Sequence, residues 1–421
     1  MNIKTIIYAI CFISGTAPFQ LQAAPSADEL QAIFDRAMQT RESGKTFEAI
    51  KLFETLLDNQ PTLNRVRLEL AVAYHQASRY EDALREFKLV LDDPNTPENV
   101  RLSILAYLAQ LTSDELKPAA RHSFSYYASV GALHNSNINA TPGAGLSPVT
   151  GISNAEKISS SGASVNLSAS HRYRLKSPMD VLGSATYFEW QSQAGLSSNL
   201  YSRTGDYDYS VVSISTGPAM SAPGRWRSSV SIRADQILLG GSQLALFTSL
   251  NPAITFDLGN YRNLTFEGGY TQHSYDKAVD AGRDGSETML GSGYSTLIYN
   301  NNVGLEGGFR LRNNDADNSG YSYHDTELYF SSFVVLSEQA AVYLRLNHHH
   351  YDYAELDPAV SIERDENETQ YAIGYNRDLR DGILKHWTFN LEFAANANTS
   401  NVPDFEYRRN VFSAGLSRYF Q

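Results

Sequence analysis

From Ala27 to about Thr112 apolar residues return every three to four positions, and from Pro118 to Gln421 they return every second position. The first spacing is that of amphipathic helices and the second that of strands with one apolar face. The chain therefore changes architecture near residue 120, from a helical part to about 300 residues of short strands. The fold class expected is α + β with the two types segregated along the chain.

The helical part repeats. Ala49, Phe53 and Leu56 recur as Ala83, Phe87 and Val90, 34 residues later, which is the tetratricopeptide period. Small Ala49 and Ala83 let paired helices approach, Phe53 and Phe87 fill the space between neighbours, and Pro61 and Pro94 follow the second helix of each pair, since proline cannot continue a helix. Ala71 and Tyr74 take the small and aromatic positions of the second unit, and Thr40 replaces the aromatic of the first. A further helix, 97–111, is expected to cap the stack. Such stacks bind polypeptides on the face lined by the first helix of each pair. Candidate client-binding residues on that face are Gln31, Phe34, Met38, Arg41, Arg65, Leu68, Val72, His75 and Gln76.

In the strand part several segments separate their faces cleanly. Val303, Leu305, Gly307, Phe309 and Leu311 oppose Gly304, Glu306, Gly308, Arg310 and Arg312; Trp387, Phe389, Leu391 and Phe393 oppose His386, Thr388, Asn390 and Glu392. Alternation alone fits either a soluble sandwich or a membrane barrel whose apolar face meets lipid. The links between strands separate these two. Fourteen strands are expected near 123–134, 160–173, 179–191, 201–216, 225–238, 243–257, 261–275, 286–299, 302–313, 321–336, 340–353, 368–379, 385–397 and 406–420. Odd strands are followed mostly by long polar stretches (135–159, 276–285, 314–320, 354–367), with 239–242 a short exception. Even strands are followed by tight turns (175–178, Gly259-Asn260, Asn300-Asn301, 337–339). Long links at one end and short at the other are the pattern of bacterial outer-membrane barrels, so a 14-stranded antiparallel transmembrane β-barrel is expected over 119–421, behind a periplasmic helical domain over 24–118.

The amino terminus agrees with that compartment: Lys4 precedes an apolar run, Ile6 to Ile13, and the small residues Ala23 and Ala24, the layout of a secretory signal peptide over 1–23. The run is shorter than the roughly 20 residues a helical span needs. Cys11, the one cysteine, lies inside it, so neither disulfide nor thiolate chemistry is expected of the mature chain. The formal net charge of −12 argues against a nucleic-acid partner, which calls for a basic stripe.

At the carboxyl end Phe412, Ala414, Leu416 and Phe420 share one parity, interrupted by Arg418, and Gln421 follows the aromatic residue. Closing the last strand on the first would leave no unpaired edge in lipid. Helical repeats ahead of a fourteen-strand barrel resemble the Slam family, the surface lipoprotein assembly modulators. The element His134-Asn135-Ser136-Asn137-Ile138-Asn139 after the first strand looks like that family's Asp-Ser-Asn-Ile-Asn element, with Asn135 in place of the acid. The competing reading of Asn135, Ser136, Asn137, Ile138 and Asn139 is a strand cap at the rim, made through side-chain to backbone bonds. The resemblance implies an exporter that moves a client lipoprotein or secreted haem- or iron-binding protein across the outer membrane.

Eight strands leave a filled interior and 16 to 18 an aqueous channel, so fourteen is expected to admit an extended chain or a small solute, and no folded domain without lateral opening. Glu267, Glu306, Arg310, Arg312, Arg345 and Glu392 are the lumen groups expected to meet the client. Besides the client, outer-membrane lipids, periplasmic chaperones and the barrel-assembly machinery are expected partners; no cofactor and no enzymatic activity are expected. The one eye-catching cluster, His348-His349-His350, puts His348 and His350 on one face with Asp352, a possible metal set, against the plainer reading of polar aromatic residues at a membrane interface. A porin-like or polysaccharide-export channel, or a surface barrel mediating host interaction, are the alternative functions.

Overall fold

A computed structural model describes residues 26–77, 79–93, 96, 97, 100–102, 104, 105, 121–147, 149, 151, 153–175 and 177–420. The expected leader with Cys11, Pro94, and the segment joining the two parts up to residue 120 lie outside the described residues. The chain divides into two compact units, Met1–Leu116 and Lys117–Gln421.

The first unit contains helices α1 (Ala27–Glu42), α2 (Thr46–Asn59), α3 (Asn64–Gln76) and α4 (Tyr80–Leu91). Helix α1 starts with a reciprocal cap. The Glu29 amide donates to Ser26 Oγ at 3.3 Å and the Ser26 amide donates to Glu29 Oε2 at 2.7 Å, so two amides that no helical carbonyl can reach are satisfied. The repeated triplets occupy equivalent positions in α2 and α4. Ala49, Phe53, Leu56, Ala83, Phe87 and Val90 are each fully or almost fully buried in one core. Ile104, from the expected capping helix, is buried in that core too; 98, 99, 103 and 106–111 of that helix lie outside the described residues.

The second unit is a closed barrel. Its strands are β1 (His122–Asn135), β2 (Ser160–Arg174), β3 (Ser184–Tyr201), β4 (Tyr209–Ala222), β5 (Trp226–Leu239), β6 (Ser242–Asp257), β7 (Asn263–Tyr275), β8 (Gly285–Ile298), β9 (Val303–Ala316), β10 (Tyr323–Ser337), β11 (Ala340–Leu356), β12 (Glu363–Asp378), β13 (Thr388–Ser400) and β14 (Tyr407–Phe420). Each pairs antiparallel with the next, and β14 closes on β1 from Tyr126 opposite Phe420 to Asn135 opposite Val411. Closure matters because an unpaired strand edge in lipid leaves backbone groups without partners. Register fixes the faces: Gly291 of β8, Arg310 of β9 and Glu327 of β10 stand opposite one another and share the inner face. The other parity points out, where Ile214, Ile232, Leu290, Phe309, Leu311 and Leu328 are exposed. An exposed belt of this kind is what a bilayer covers. No described helix is long and apolar enough to cross a membrane.

Two expectations are corrected. The third and fourth strands were expected at 179–191 and 201–216 but run 184–201 and 209–222. Met179–Val181 folds back on Ser184–Thr186 through Leu182-Gly183, both at positive φ, and so serves as a short hairpin before β3. The sorting of link lengths is also weaker than the residues suggest. Strands β9, β11 and β12 extend into stretches that read as loops, leaving only 317–322 and 357–362 as links, while the opposite end carries 175–183 and 379–387. Polar residues such as Asn314, Glu363 and Glu366 are strand residues here because the ladders continue past the apolar belt. The one long link is 136–159, which carries a small ladder between Gly145–Leu146 and Ser153–Asn154.

Candidate functional site

The inner wall formed by β7 to β13 concentrates the charged groups. Arg310 donates from Nε to Glu267 Oε1 at 2.7 Å and from Nη1 to Glu327 Oε1 at 3.1 Å. Arg312 donates to Asp325 Oδ2 at 2.6 Å and Glu327 Oε2 at 2.5 Å, and its Nε lies 3.8 Å from Glu287. His349 Nδ1 lies 3.1 Å from Asp325 Oδ2. The Asp325 and Glu327 side chains are only 1% and 4% exposed, so their charges depend on these partners. To reach Glu267, Arg310 crosses β8 over Gly291, where an added Cβ would sit 2.9 Å from Glu267 Oε1 and 3.0 Å from Arg310 Cγ. The missing side chain is what lets the ion pair lie flat on the wall.

Five of the six expected lumen residues are thus tied to one another or to neighbours. Glu267, Arg310 and Arg312 belong to the network just described. Arg345 pairs with Glu392, which also accepts from Tyr343 Oη at 2.5 Å. Glu306 shares the inner face and is exposed, with no ion pair among the described residues. On β9 and β10 the register places arginines opposite acids, and they neutralise one another. Sequence reasoning missed Glu287, Asp325, Glu327 and His349, although the same alternation carries the signal, since Asp325 and Glu327 share the parity of Tyr323 and Tyr329 on the inner face.

The rim element after β1 acts as a clasp. Where the β1–β14 ladder ends, the Ser136 amide donates to the Asn410 carbonyl and the Asn410 amide to Ser136 Oγ, both at 2.9 Å. Asn137 is fully buried; its Nδ2 donates to the carbonyls of Thr141 at 2.9 Å and Arg408 at 3.1 Å. The Asn137 amide donates to Asn135 Oδ1 at 3.0 Å, and Asn135 Nδ2 donates to Tyr201 Oη at 3.0 Å. The Ile138 amide donates to the Ile158 carbonyl, and Asn139 Oδ1 accepts from the Ile158 amide. The element extends the closing seam and pins both ends of the long link, so the strand-cap reading describes its geometry.

In the helical unit, α1 and α3 adjoin: Arg41 pairs with Glu69 at 2.5 Å, and the Arg65 guanidinium lies 5.0 Å from the Phe34 ring centroid. Of the nine expected face residues, Gln31, Arg65 and Gln76 are exposed, and Gln31 donates to Asp35. Phe34 instead belongs to the core, 6.1 Å from the Phe53 ring, which corrects its assignment as an open contact. Met38, Leu68 and Val72 pack half-buried against the same core. His75 lies edge-on to Tyr80, and burial lowers its pKa, which keeps the imidazole neutral at pH 7.

The histidine run is divided by the pleat. His348 meets Thr369 Oγ1 at 3.0 Å and His350 meets Asn367 Oδ1 at 3.2 Å on the outer face, while His349 turns inward to Asp325. Among the described residues no group of three His, Cys, Asp or Glu is placed to hold a metal ion.

No family model matches the chain. Over 122 residues it is 27% identical to the surface lipoprotein assembly modifier of Pasteurella multocida (strain Pm70), a match covering 29% of this chain and 22% of that protein. The architecture is Slam-like. Four helices among the described residues precede a closed fourteen-strand barrel, an order similar to that of the Slam family. Among solved structures the chain is similar to OmpT, an outer membrane protein of Vibrio cholerae (TM-score 0.40, 9% identity, 73% of this chain and 100% of that one). It is also similar to the outer membrane protein OprD from Pseudomonas aeruginosa (TM-score 0.38, 9% identity, 71% of this chain and 93% of that one).

Proposed function

We propose that this protein is an outer-membrane exporter that carries a specific client protein, a surface lipoprotein or a secreted protein, out of the periplasm. The observation that carries the reading is the 27% identity to a surface lipoprotein assembly modifier, in a chain that joins a helical unit to a closed barrel. The helical unit engages the client in the periplasm, where Arg65 and Gln76 stand open on α3, and the barrel provides the passage through lipid. Fourteen strands admit an extended chain and exclude a folded domain, so the client crosses unfolded. The protein acts without catalysis, and folding or binding of the client outside supplies the direction. Outer-membrane lipids, periplasmic chaperones and the barrel-assembly machinery are its other partners. Deleting the gene and comparing the cell-surface and secreted proteomes tests the proposal. Loss of one or a few proteins from the outside, with their accumulation in the periplasm, is expected. An unchanged surface proteome with loss of a glycan or of a small-solute permeability would replace export by a channel function.

A further inference from the structure

Two of the barrel's cavities, of about 800 Å³ and about 1000 Å³, have Gln193, Ser215 and Ser231 in common. The first starts beside Ser123, Ser125 and Ser170, near the end where β1 begins. The second continues past Asn251 and Thr271 to Tyr275, Tyr353 and Phe405, near the opposite rim. The shared residues are consecutive on the inner faces of β3, β4 and β5, because Gln193 stands opposite Ser215 and Ser215 opposite Arg233, two residues from Ser231. The void therefore runs the length of the barrel, beginning along the wall of β1 to β5 and then crossing the lumen, where Glu287, Asn314, Tyr323 and Arg364 line its far side.

Small side chains make the first part of this void, and larger ones such as Phe247, His273, Tyr275 and Tyr353 line the second. Where charges occur on this wall, they lie flat against it: Arg233 forks onto Asp235 of its own strand at 2.7 Å, and Ser213 donates to the same carboxylate at 2.5 Å. The ladder also skips beside the junction, between Thr216 opposite Ile232 and Ala219 opposite Ser229, where Pro218 has no amide to donate. Volumes of this size spread over the ~30 Å of a bilayer core give a mean bore of about 9 Å. That is close to the ~10 Å that separates packed sheets and hence to the width of an extended chain with its side chains. A folded domain of 100 residues, with a radius of gyration of ~13 Å, does not pass.

We infer that the passage is this off-axis serine and amide track, with Gln193, Ser215 and Ser231 at its midpoint, and that its occupant is an extended polypeptide. The inference rests on the export reading for its occupant, though not for its path. Hydroxyl and amide groups can each donate and accept, so they exchange with the carbonyls and amides of a passing backbone at every residue. A wall of unpaired charge would hold such a chain, and an apolar wall would leave its backbone unsatisfied.

The test uses the full chain with Cys11→Ser, carrying Ser215→Cys, Ser231→Cys or, on the charged wall, Ser295→Cys, each incorporated in planar bilayers. A bulky thiol reagent is expected to cut the ionic current by about half or more at 215 and 231, and to leave it nearly unchanged at 295. Labelling is confirmed by mass. No current from the unmodified protein, no block at 215 and 231, or block at 295 alone overturns the path. Because ionic current needs no client, these outcomes are independent of the export reading. An unstructured Gly/Ser-rich peptide added to one side is expected to cause transient blockades that a linear neutral oligosaccharide of equal length does not. Blockade by the oligosaccharide alone, or equally by both, overturns the polypeptide as occupant.

Discussion

The two sides of the barrel interior are built on opposite principles. On β7 to β13 large charged residues stand on the inner face, with small ones such as Gly291 and Gly374 between them, and nearly every charge is spent on a neighbour: Arg310, Arg312, Glu267, Asp325 and Glu327 form one connected network. On β1 to β6 serine, asparagine and glycine are frequent, and the first cavity lies in the space they leave, while the second extends across to Glu287, Tyr323 and Arg364. One wall braces the barrel and the other leaves room. The contrast shows that inward-pointing charge is not by itself evidence of contact with a passing substrate. In a closed barrel it can be the scaffold against which a path is held open.

Breaking the braced wall should have the largest effect. Arg312→Ala leaves the almost fully buried Asp325 and Glu327 without their main partner, and the expected loss is ~3–5 kcal/mol. It would be read as a lower temperature at which the barrel loses its folded mobility on a gel. Next comes overpacking on the same side: at Gly374 an added Cβ would lie 2.1 Å from the Tyr343 ring. Gly374→Ala should displace that ring from Glu392 and cost about 1–3 kcal/mol, and Tyr343→Ser combined with it should recover part of the loss. The seam is third in order. Asn137→Ala removes donors to the carbonyls of Thr141 and Arg408, for about 1–3 kcal/mol and faster proteolysis within 136–159. Smallest is the open wall, where Ser231→Ala should stay within about 0.5 kcal/mol of the parent in stability. If Ser231→Ala proved as damaging as Arg312→Ala, the division into brace and track would fail.

Much of this fold can be read from residues alone, and the reasons are local. Period-two alternation located all fourteen strands, most within three residues of their observed ends, because lipid on one side and water on the other force every strand to alternate. The hairpin at Met179–Val181 was hidden because Met179 to Val181 reads as the start of an ordinary strand, and the fold-back depends on positive φ at Leu182 and Gly183. Link lengths misled for a related reason: polar residues continue the ladders above the membrane belt, and composition cannot tell a polar strand from a loop. Of the candidate site, the parity of Arg310 and Arg312 was legible, but their pairing was not. That pairing depends on the register between β9 and β10 and on Gly291 leaving space for a side chain from two strands away. The path is a property of absences, and small residues spread over six strands carry no pattern until the barrel is closed.

The central claim is that an unfolded protein crosses the membrane through this barrel, and reconstitution tests it most directly. Purified protein is placed in liposomes that enclose the client identified by the surface-proteome comparison, and protease is added outside. The account predicts that a client kept unfolded becomes protease-sensitive in a time-dependent way, and that a thiol reagent on Ser215→Cys abolishes this. A client that stays fully protected in liposomes whose barrels are folded and conducting would contradict it.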